Sequence, residues 1–442
     1  MLTTRPRGTL DYLPEDMDRW HQIEGLAHKV CRLYGYQQVK TPVFEHTELF
    51  ERTVGGATDI VEKEMYTFQD RGGRGLSLRA EGTAPAARAY LEDKLYAQPQ
   101  PTKLYYVEPI FRYERPQAGR MRQHYQFGIE ALGSQNPALD AEIIALAMDF
   151  FGRLGLTGLD VQINSIGCPK CRAAYREKLV TYLRGVAESL CDDCRARLER
   201  NPLRVLDCKN ESCRPHLEAA PVASEHLCPE CRTHFEALQA YLAGYGIPFK
   251  INRRLVRGLD YYTKTVFEII APGLGAQSTV CGGGRYDGLI EVLGGDPTPG
   301  VGFGLGIERL TLALEAQGIK LPRTSATDVF VASLGEAAAA RALRLVHDLR
   351  AADIAADLDY LGRSLKAQFK YADKTGAKWV AIIGDEELAA DEVTLRRLDT
   401  GEQERVPAAG LVARLSEEVR RAAAGQAARA GEQAPRAKGE HS

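Results

Sequence analysis

Four arginines crowd the segment FRYERPQAGRMRQHYQFGIE, which runs from Phe111 to Glu130. The pattern predicts two strands that carry the arginines and are joined by a Pro/Gly loop, with Gln126 and Glu130 alternating on the returning strand. A strand pair fixes the direction of a guanidinium group and lets it bind phosphate oxygens in bidentate fashion. A solvated basic hairpin is the alternative explanation. The other clusters in the chain weaken it.

Two of these clusters combine a charged group with a partner suited to a small ligand. LRAEGTAPAARAY places Glu81 and Thr83 in a loop before a helix, where a carboxylate and a hydroxyl could receive an ammonium group. A helix cap is the alternative role for Thr83. LVRGLDYYTKTVFEI sets Arg257 shortly before Tyr261 and Tyr262, and two adjacent tyrosines on a strand are unusual as plain core.

Glycine-rich segments accompany these clusters. GFGLGIERL puts Arg309 in the first turn of an apolar helix, where a surface charge is the alternative reading. CGGGRYDGL and GVGFGLG contain no following GK[ST], so they do not form a P-loop. The glycines instead predict a close approach of the backbone to a small ligand.

Eight of the ten cysteines fall within one segment, which indicates that they serve a common local purpose. Cys31 and Cys281 lie outside it and are predicted to be small buried hydrophobic residues. The eight form four close pairs: Cys168 with Cys171, Cys191 with Cys194, Cys208 with Cys213, and Cys228 with Cys231. Such spacings let two thiolates from one tight turn reach a tetrahedral zinc ion, so two structural sites of four cysteines are possible. Reduced thiols packed in a small helical core are the alternative. The spacing leaves open which pairs combine.

The elements that must position these residues fall into two domains. An amphipathic helix from Met17 to Tyr34 precedes a series of strands without regular helical crossovers, which predicts a mostly antiparallel sheet in an α+β domain, residues 1–325. A helical, Cys-rich insertion at about 168–247 interrupts it. After the linker LPRTSAT, strands and helices alternate over 326–421, as in a small α/β domain with parallel strands. Residues 422–442 are low in large apolar side chains and predict a disordered tail.

Composition excludes several classes of protein. The chain has 442 residues, of which 44% are hydrophobic and 26% charged, as in ordinary globular proteins. No apolar run is long enough for a membrane span, and no apolar segment follows the basic N-terminus as in a secretory signal, so we expect a cytoplasmic protein. The net charge of −2 means that any RNA contact must use local basic patches.

Taken together, these segments resemble the histidyl-tRNA synthetases over almost the entire chain. PRGTLDYLPED, RAEGT, FRYERPQAGRMRQ, RGLDYYTKTVFE, GGGRYDGL and GFGLGIERL occur in the family's order and spacing. The region around Pro42 is similar to motif 1 of class II synthetases, which builds their dimer interface, and the arginine segment and GFGLGIERL are similar to motifs 2 and 3. RGLDYY resembles the peptide peculiar to the histidine enzyme.

The resemblance implies a class II antiparallel-sheet catalytic domain with an insertion, and a C-terminal anticodon-binding domain. It also implies the partners L-histidine, ATP with Mg²⁺ and tRNA-His, a homodimer, and no membrane. The catalytic residues it implies are Arg112 and Arg257, which face the α-phosphate; ATP-binding residues are Arg112, Arg309 and His124. Contacts to the tRNA acceptor are implied for Arg115 and Gln117. Histidine-binding residues implied in the same way are Glu81, Gly82, Thr83, Gln126, Glu130, Tyr261 and Tyr262.

Two positions depart from the family's pattern. Ala80 replaces a proline before Glu81, and His124 replaces a phenylalanine that stacks on adenine.

Two other functions compete with the synthetase interpretation. A regulatory paralogue within ATP phosphoribosyltransferase would lack the C-terminal domain and lose the arginine motifs, yet both are present here. A zinc-stapled nucleic-acid-binding module would account for the cysteines but leaves the flanking motifs unexplained.

Overall fold

A computed structural model of the chain describes residues 3–56, 58–200, 202–208, 210–275, 278–321 and 327–432. By their contacts the residues divide into two units, Met1–Leu321 and Pro322–Ser442. The division falls in the segment predicted as a linker, most of which lies outside the described residues. Within the described ranges, no helix is both long enough and apolar enough to cross a membrane.

The first unit is built around a mixed set of helices and strands. Its α-helices are α1 (Pro14–Leu33), α2 (Thr47–Val54), α3 (Thr83–Glu92), α4 (Pro137–Arg153), α5 (Pro169–Gly185), α6 (Asp192–Arg200), α7 (Arg214–Glu218), α8 (Pro229–Gly244), α9 (Leu289–Val292) and α10 (Ile307–Ala316). Its strands are β1 (Gln37–Gln38), β2 (Phe44–His46), β3 (Thr67–Gln69), β4 (Gly75–Leu78), β5 (Thr102–Phe111), β6 (Gln123–Leu132), β7 (Asp160–Ser165), β8 (Phe249–Ile251), β9 (Thr263–Ile270), β10 (Thr279–Arg285) and β11 (Gly300–Gly306).

The main sheet has the strand order β1-β5-β6-β11-β10-β9-β7-β8. Neighbouring strands are antiparallel except at the two edges, where β1 is parallel to β5 and β7 is parallel to β8. The prediction of a mostly antiparallel sheet is therefore confirmed. A second, three-stranded sheet has the order β2-β4-β3.

Alternation along the central strands separates a core face from a polar face. On β6, Phe127 and Ile129 are buried in the same core as residues of α1 and α4, and their neighbours Gln126 and Glu130 point to the opposite face. The apolar helices α1 and α4 thus cover one side of the sheet. The other side is left for polar side chains held by rigid strands.

The Cys-rich insertion consists of two parts with different packing partners. Its first three helices share a small core of their own, to which Tyr175, Leu179 and Leu198 contribute. Helix α8 instead places Phe235 and Leu238 in the core of the main sheet. The segment predicted as one insertion, about 168–247, therefore ends in a helix that packs on the main sheet. The apolar positions of α8 recur at helical spacing and form one face that the sheet covers.

A buried polar network fixes α8 and α4 to the sheet. Asp140 on α4 accepts hydrogen bonds from Arg285 Nε at 3.1 Å, and it lies 3.2 Å from His234 Nε2 on α8. Burial alone would raise the pKa of Asp140, but the charge of Arg285 holds it at about 2. The ion pair is complete and buried, so removing one partner would leave an uncompensated charge in the core.

The second unit is a small α/β domain. Its elements are β12 (Val329–Ser333), α11 (Glu336–Ala351), β13 (Ala356–Leu358), α12 (Leu365–Lys374), β14 (Trp379–Ile383), α13 (Asp385–Ala390), β15 (Glu392–Arg397), β16 (Gln403–Pro407) and α14 (Leu411–Glu432). The sheet order is β13-β12-β14-β15-β16. As predicted, β13, β12 and β14 are parallel, but β15 and β16 add an antiparallel hairpin that the prediction lacks.

The last helix of this unit changes the predicted boundary of the tail. A disordered tail is predicted from residue 422, whereas α14 continues to Glu432. The alanine, glutamine, arginine and glutamate residues of this segment are strong helix formers even where large apolar side chains are absent. Residues 433–442 of the predicted tail lie outside the described residues.

Candidate active site

A cleft of about 600 Å³ lies on the polar face of the main sheet. Its walls come from β6, β9, β10 and β11, from the loop 112–122 between β5 and β6, and from the segment 252–262 before β9. Charged side chains of both signs line it: Asp59, Glu64, Glu81, Arg112, Glu114, Arg120, Arg197, Arg254, Arg257, Glu268, Glu308 and Arg309. A lining of this kind suits a ligand that carries both an ammonium group and phosphates.

Arg257 crosses the floor of the cleft above Gly282. A Cβ atom at position 282 would lie 2.5 Å from Arg257 Nη1, so only glycine leaves room for the guanidinium group. Arg257 Nη1 donates a hydrogen bond to Glu268. Burial alone would lower the pKa of Arg257, but Tyr262 and Glu268 raise it, so the group stays positive.

The Nε–H group of Arg257 is buried and has no hydrogen-bond partner within the described part of the chain. A buried donor without an acceptor is costly, with a penalty of about 1–3 kcal/mol, so such a group usually marks a place that a ligand fills. Because this donor belongs to a cation inside the cleft, an anionic oxygen is the acceptor that fits it best.

Two further arginines are held in place by backbone carbonyl groups. Arg112 Nε donates to the carbonyl oxygen of Ala80 at 2.8 Å. Arg309 Nη1 donates to the carbonyl oxygen of Thr279 at 2.8 Å, and its Nη2 donates to that of Gly119 at 3.3 Å. Hydrogen bonds to fixed carbonyls orient the guanidinium groups before any ligand arrives.

His124 lies on β6 and lines the same cleft as Arg112 and Arg309. Burial, together with the positive charges of these two arginines, lowers the pKa of His124 to about 3. The imidazole ring is therefore neutral at physiological pH. A neutral flat ring beside a guanidinium group is suited to stacking on a heterocycle.

Glu130 lies below the cleft, 1% exposed, and accepts hydrogen bonds from three hydroxyl groups. Thr83 Oγ1 donates to Glu130 Oε1 at 2.8 Å, Tyr106 OH donates to the same oxygen at 3.0 Å, and Tyr286 OH donates to Oε2. Burial raises the pKa of Glu130 to about 8 in spite of these donors. Burial therefore favours the protonated form of this carboxyl group near neutral pH.

Glu81 closes the beginning of α3. Its carboxylate accepts hydrogen bonds from the backbone N–H groups of Thr83 at 2.8 Å and Ala84 at 2.6 Å, and Tyr261 OH donates to it at 3.4 Å. Glu81, and not Thr83, therefore caps the helix, since the Thr83 hydroxyl is directed to Glu130. The cap holds both side chains at one end of the cleft.

Glycines on β11 make room for the side chains of β6. A Cβ atom at Gly302 would lie 2.2 Å from Glu130 Oε2, and one at Gly304 would lie 2.1 Å from Gln126 Nε2. The glycines were predicted to let the backbone approach a ligand. Gly282, Gly304 and Gly306 do line the cleft, and the glycines of β11 also leave room for a pair of polar side chains from the neighbouring strand.

Most of the predicted site residues come together in this cleft, and some do not line it. Lining residues are Glu81, Thr83, Arg112, His124, Gln126, Arg257, Tyr261, Tyr262 and Arg309. Gly82 and Glu130 are buried behind them, and a Cβ atom at Gly82 would clash with the ring of Tyr106 at 2.2 Å. Tyr261 and Tyr262 were predicted on a strand but precede β9, which begins at Thr263.

The arginine segment differs from its prediction in one respect. β5 ends at Phe111 and β6 begins at Gln123, so Arg112, Arg115, Arg120 and Arg122 lie on the connecting loop and not on the strands. Pro116 and Gly119 end the strand pairing, and backbone hydrogen bonds of 3.0 and 2.9 Å between Gln117 and Arg120 close the loop. Arg115 and Gln117 do not line the cleft.

Several functional residues were missed by the sequence reasoning. Tyr106 and Tyr286 surround Glu130, and Tyr286 stands in the GGGRYDGL segment that drew attention only for its glycines. Glu268 pairs with Arg257, and Arg197 reaches the cleft from the insertion. Their partners lie far away in the sequence, so no local pattern indicates them.

The eight clustered cysteines lie in two groups of four. Cys168, Cys171, Cys228 and Cys231 form one, here called the neck group, and Cys191, Cys194, Cys208 and Cys213 form the other, the inner group. Within each group all four sulfur atoms lie within 4.8 Å of one another. The structure thus decides which pairs combine.

Comparisons with known proteins agree over both units. The family model for histidyl-tRNA synthetase matches residues 8–310, and an anticodon-binding domain model matches residues 328–418. A histidine–tRNA ligase from Moorella thermoacetica is 57% identical over 412 residues, 93% of this chain and 97% of that protein. One from Clostridioides difficile is 54% identical over 420 residues, 95% of this chain and 100% of that protein. The crystal structure of apo S. aureus histidyl-tRNA synthetase has a TM-score of 0.81 at 41% identity and covers 94% of this chain and 100% of that one.

Proposed function

We propose how the residues of the cleft divide the work of one reaction, from the premise that this chain belongs to the histidyl-tRNA synthetase family. The chain is a class II aminoacyl-tRNA synthetase. It activates L-histidine with ATP to histidyl-adenylate and pyrophosphate, and then transfers histidine to its tRNA. The observation that carries the residue roles is the set of fixed guanidinium groups that line the cleft, together with the buried Nε–H of Arg257, which has no acceptor among the described residues.

In the first step, the enzyme has to overcome repulsion between two anions. The α-carboxyl group of free histidine has a pKa of about 3.5, so the nucleophile is ionised at neutral pH and needs no general base. Arg112 and Arg257 bind the oxygens of the α-phosphate and stabilise the charge that develops there as pyrophosphate leaves. The carbonyl and carboxylate partners of these arginines keep them oriented, so that little reorganisation accompanies the reaction.

Histidine occupies the end of the cleft beside α3. Glu81, Thr83 and Gln126 receive the α-ammonium group, and Gly82 allows the tight turn in which Tyr106 packs. Glu130, Tyr261 and Tyr262 surround the imidazole ring, whose donor and acceptor nitrogens need partners of both kinds. The three hydroxyl donors around Glu130 keep its carboxyl group in one orientation.

The adenine of ATP lies between Arg309 and the neutral ring of His124. The guanidinium group of Arg309 is fixed by two carbonyl groups, which favours stacking on a purine. Imidazole replaces the larger aromatic ring expected at position 124. The low pKa of His124 removes the repulsion that a protonated ring would exert on Arg309.

Mg²⁺ is the ion that accompanies ATP in this family, and the cleft offers it suitable ligands. Mg²⁺ prefers carboxylate oxygens together with substrate phosphates. Glu114 and Glu268 line the cleft beside the arginines, where Glu114 pairs with Arg120 at 3.3 Å and Glu268 pairs with Arg257, so their carboxylates would exchange these partners for the ion. When bound, the ion supplies charge neutralisation for the phosphates.

Two regions receive the tRNA. Arg115 and Gln117, on the loop that borders the cleft, contact the acceptor end. Residues 328–418 match an anticodon-binding domain, and in α12 Lys366, Lys370 and Lys374 are exposed at intervals of four residues. Such spacing places three cations on one helix face, as a phosphate backbone requires.

A homodimer is the assembly that the three-stranded sheet favours. Phe44 pairs with Leu78 and Phe68 pairs with Leu76, two residues apart on β4, so both phenyl rings project from the same face. They are 52% and 45% exposed. An exposed apolar face next to the segment that resembles motif 1 fits an interface between two copies of the chain.

The cytoplasm, where tRNA and ATP meet, is the proposed location.

Exchange of pyrophosphate into ATP by the purified protein tests the first step directly. We expect exchange that depends on histidine and that glutamine, a polar amino acid without an aromatic ring, does not support. Exchange without histidine dependence would refute the assignment of the amino-acid pocket. Aminoacylation of a tRNA-His transcript, compared with a transcript for another amino acid, tests the second step.

A further inference from the structure

The neck group joins the beginnings of two helices. Cys168 is the N-cap of α5 and Cys228 is the N-cap of α8, and a proline follows each of them. Cys171 and Cys231 stand three residues further on, so the same turn is built twice. The sulfur atoms of the two turns meet, with Cys168 and Cys228 at 4.0 Å and Cys171 and Cys231 at 3.6 Å.

The inner group lies within the separate core of the insertion. Cys191 precedes α6 and Cys194 lies in its first turn, while Cys213 is the N-cap of α7. Cys191 and Cys208 are separated by 3.8 Å between sulfur atoms, and Cys194 and Cys213 by 4.0 Å. As in the neck group, each pair supplies one buried and one partly exposed cysteine.

These distances match those of a tetrahedral zinc–thiolate site. With Zn–S bonds of about 2.3 Å, the edges of a sulfur tetrahedron measure about 3.8 Å. The sulfur contacts of the two groups range from 3.4 to 4.0 Å. Disulfides do not account for them, because an S–S bond requires about 2.05 Å and all ten cysteines are free.

Backbone N–H groups are directed at the sulfur atoms. The N–H of Cys228 donates to Cys171 Sγ at 3.4 Å in the neck group, and the N–H of Cys191 donates to Cys213 Sγ at 3.2 Å in the inner group. Each of these bonds crosses from one cysteine pair to the other. Packing of neutral thiols calls for no such donors, whereas sulfur atoms that carry negative charge are stabilised by them.

We propose that each group of four cysteines binds one Zn²⁺ ion, so that the chain carries two structural zinc sites. On binding, four S–H groups lose their protons to solvent and four Zn–S bonds form, which leaves each site with a net charge of −2. No coordination position stays open for water or substrate. The ions therefore hold the fold together and take no part in the chemistry of the cleft.

The surroundings of the neck site compensate its charge. The N-termini of α5 and α8, helices of 17 and 16 residues, both point their positive ends at the four sulfur atoms. Arg172, the next residue after Cys171, interacts electrostatically with Cys168, Cys171 and Asp260. Asp260 belongs to the segment 252–262, other residues of which line the cleft.

Each ion would fasten a different part of the molecule. The neck site connects residues 60 positions apart and so closes the two ends of the insertion. The inner site fixes the first turn of α6, the helix whose Arg197 lines the cleft. Binding of zinc does not depend on the ligase reaction, and the two can be measured separately.

Elemental analysis of the full-length protein, purified under reducing conditions without a chelator or an affinity metal, tests the proposal. We expect two zinc ions per chain in the wild type and in Cys31→Ala, a control that removes a buried cysteine outside both groups. The double variants C168S/C171S and C191S/C194S should each keep one. Less than about a tenth of an ion per chain, with no uptake from added zinc chloride, would overturn the proposal. Iron with inorganic sulfide in place of zinc would overturn it as well.

Quadruple variants test the pairing. Replacing the whole neck group, C168S/C171S/C228S/C231S, should leave one zinc ion, whereas C168S/C171S/C191S/C194S should leave none because it breaks both sites. The reverse result would refute the pairing. If the variants fail to fold, cobalt bound to the wild-type protein tests the number of sites and their coordination by four thiolates. Two equivalents of Co²⁺ should give the visible bands of tetrahedral cobalt with thiolate charge transfer, and octahedral spectra would contradict four-thiolate coordination.

Discussion

Arg197, on helix α6 of the insertion, donates a hydrogen bond of 3.0 Å to Asp59, and both side chains line the cleft of the main sheet. The insertion has a core of its own, yet through this contact it contributes a charged group to the site. The two side chains are 31% and 30% exposed, so the pair adds at most about 1 kcal/mol to stability. The ion pair matters for function because it holds the guanidinium group of Arg197 at the cleft.

Arg197→Ala should therefore affect the reaction more than the fold. We expect an unchanged melting temperature and an approximately tenfold slower transfer to tRNA, since one charge-assisted hydrogen bond contributes about 1.5 kcal/mol. Pyrophosphate exchange should change less. Arg184→Ala is the matched control, because Arg184 pairs with Glu199 at 3.0 Å on the exposed side of the insertion. Equal effects of both substitutions would argue against a role for Arg197 in the cleft.

Arg257→Ala tests transition-state stabilisation. Loss of this guanidinium group should lower kcat for pyrophosphate exchange by roughly 10²–10³ while KM for histidine changes little, because the group acts on charge that develops at the α-phosphate. Arg257→Lys restores the charge but not the second donor, so it should recover only part of the rate. Arg253→Ala, an exposed neighbour paired with Glu225, serves as the control. Full activity of Arg257→Ala would refute the assigned role.

Glu130→Gln should change how stability depends on pH. The pKa of Glu130 is about 8 in the folded chain and 4.5 without the fold, so the unfolded chain releases the proton first. The wild type therefore loses stability as pH rises from about 4.5 to about 8, and the loss levels off above that. Glutamine cannot ionise. The melting temperature of the variant relative to the wild type should rise across this range.

The measurement is thermal unfolding of both proteins at a series of pH values. Glu236→Gln, at an exposed position on α8, serves as the control. A flat difference for Glu130→Gln would mean that Glu130 is ionised in the fold. The same variant should raise KM for histidine, since the carboxyl group borders the proposed imidazole pocket.

Replacing Lys366, Lys370 and Lys374 together by alanine should weaken the binding of tRNA. Each phosphate contact that is lost lowers the dependence of log KM on log salt concentration by about one unit. Pyrophosphate exchange should remain unchanged because the cleft lies in the other unit. Arg341→Ala with Arg344→Ala removes exposed charge from α11 as a control. An unaltered KM for tRNA in the triple variant would show that the lysines are only solvated surface charges.

Phe44→Glu should disrupt the proposed dimer. The phenyl ring is 52% exposed on an apolar sheet face, so the monomer tolerates a charge there whereas a tight interface does not. Light scattering should show a dimer for the wild type and a monomer for the variant. Tyr360→Glu, which changes an exposed aromatic residue in the other unit, is the control. A monomeric, fully active wild type would refute the prediction.

Local patterns indicated much of the fold. Alternation on β6 predicted which residues face the cleft, and the alternating strands and helices of the C-terminal domain, which begins with a strand, were visible in its apolar periodicity. The hairpin β15–β16 was missed although the turn Thr400–Gly401 between two alternating runs is typical of one. The sequence therefore contained the pattern that predicts this hairpin.

Other features could not be predicted because they depend on contacts between distant residues. Tyr286 donates to Glu130 across 156 positions, and nothing in the GGGRYDGL segment indicates that partner. The pairing of the cysteines is similar, since the two outermost pairs combine with each other and enclose the two inner pairs. The packing of α8 on the sheet likewise depends on α4, which lies beside α8 in the core but far from it in the sequence.

The nesting of the cysteine groups has an evolutionary consequence. Cys171 and Cys231 approach each other at the point where the insertion leaves and re-enters the catalytic body, and β7 and β8 pair directly beneath. Chain can therefore be gained or lost between Cys171 and Cys228 without shifting the register of the sheet. The insertion is therefore a separable module of the fold, tied to the adenylate-forming cleft through Arg197.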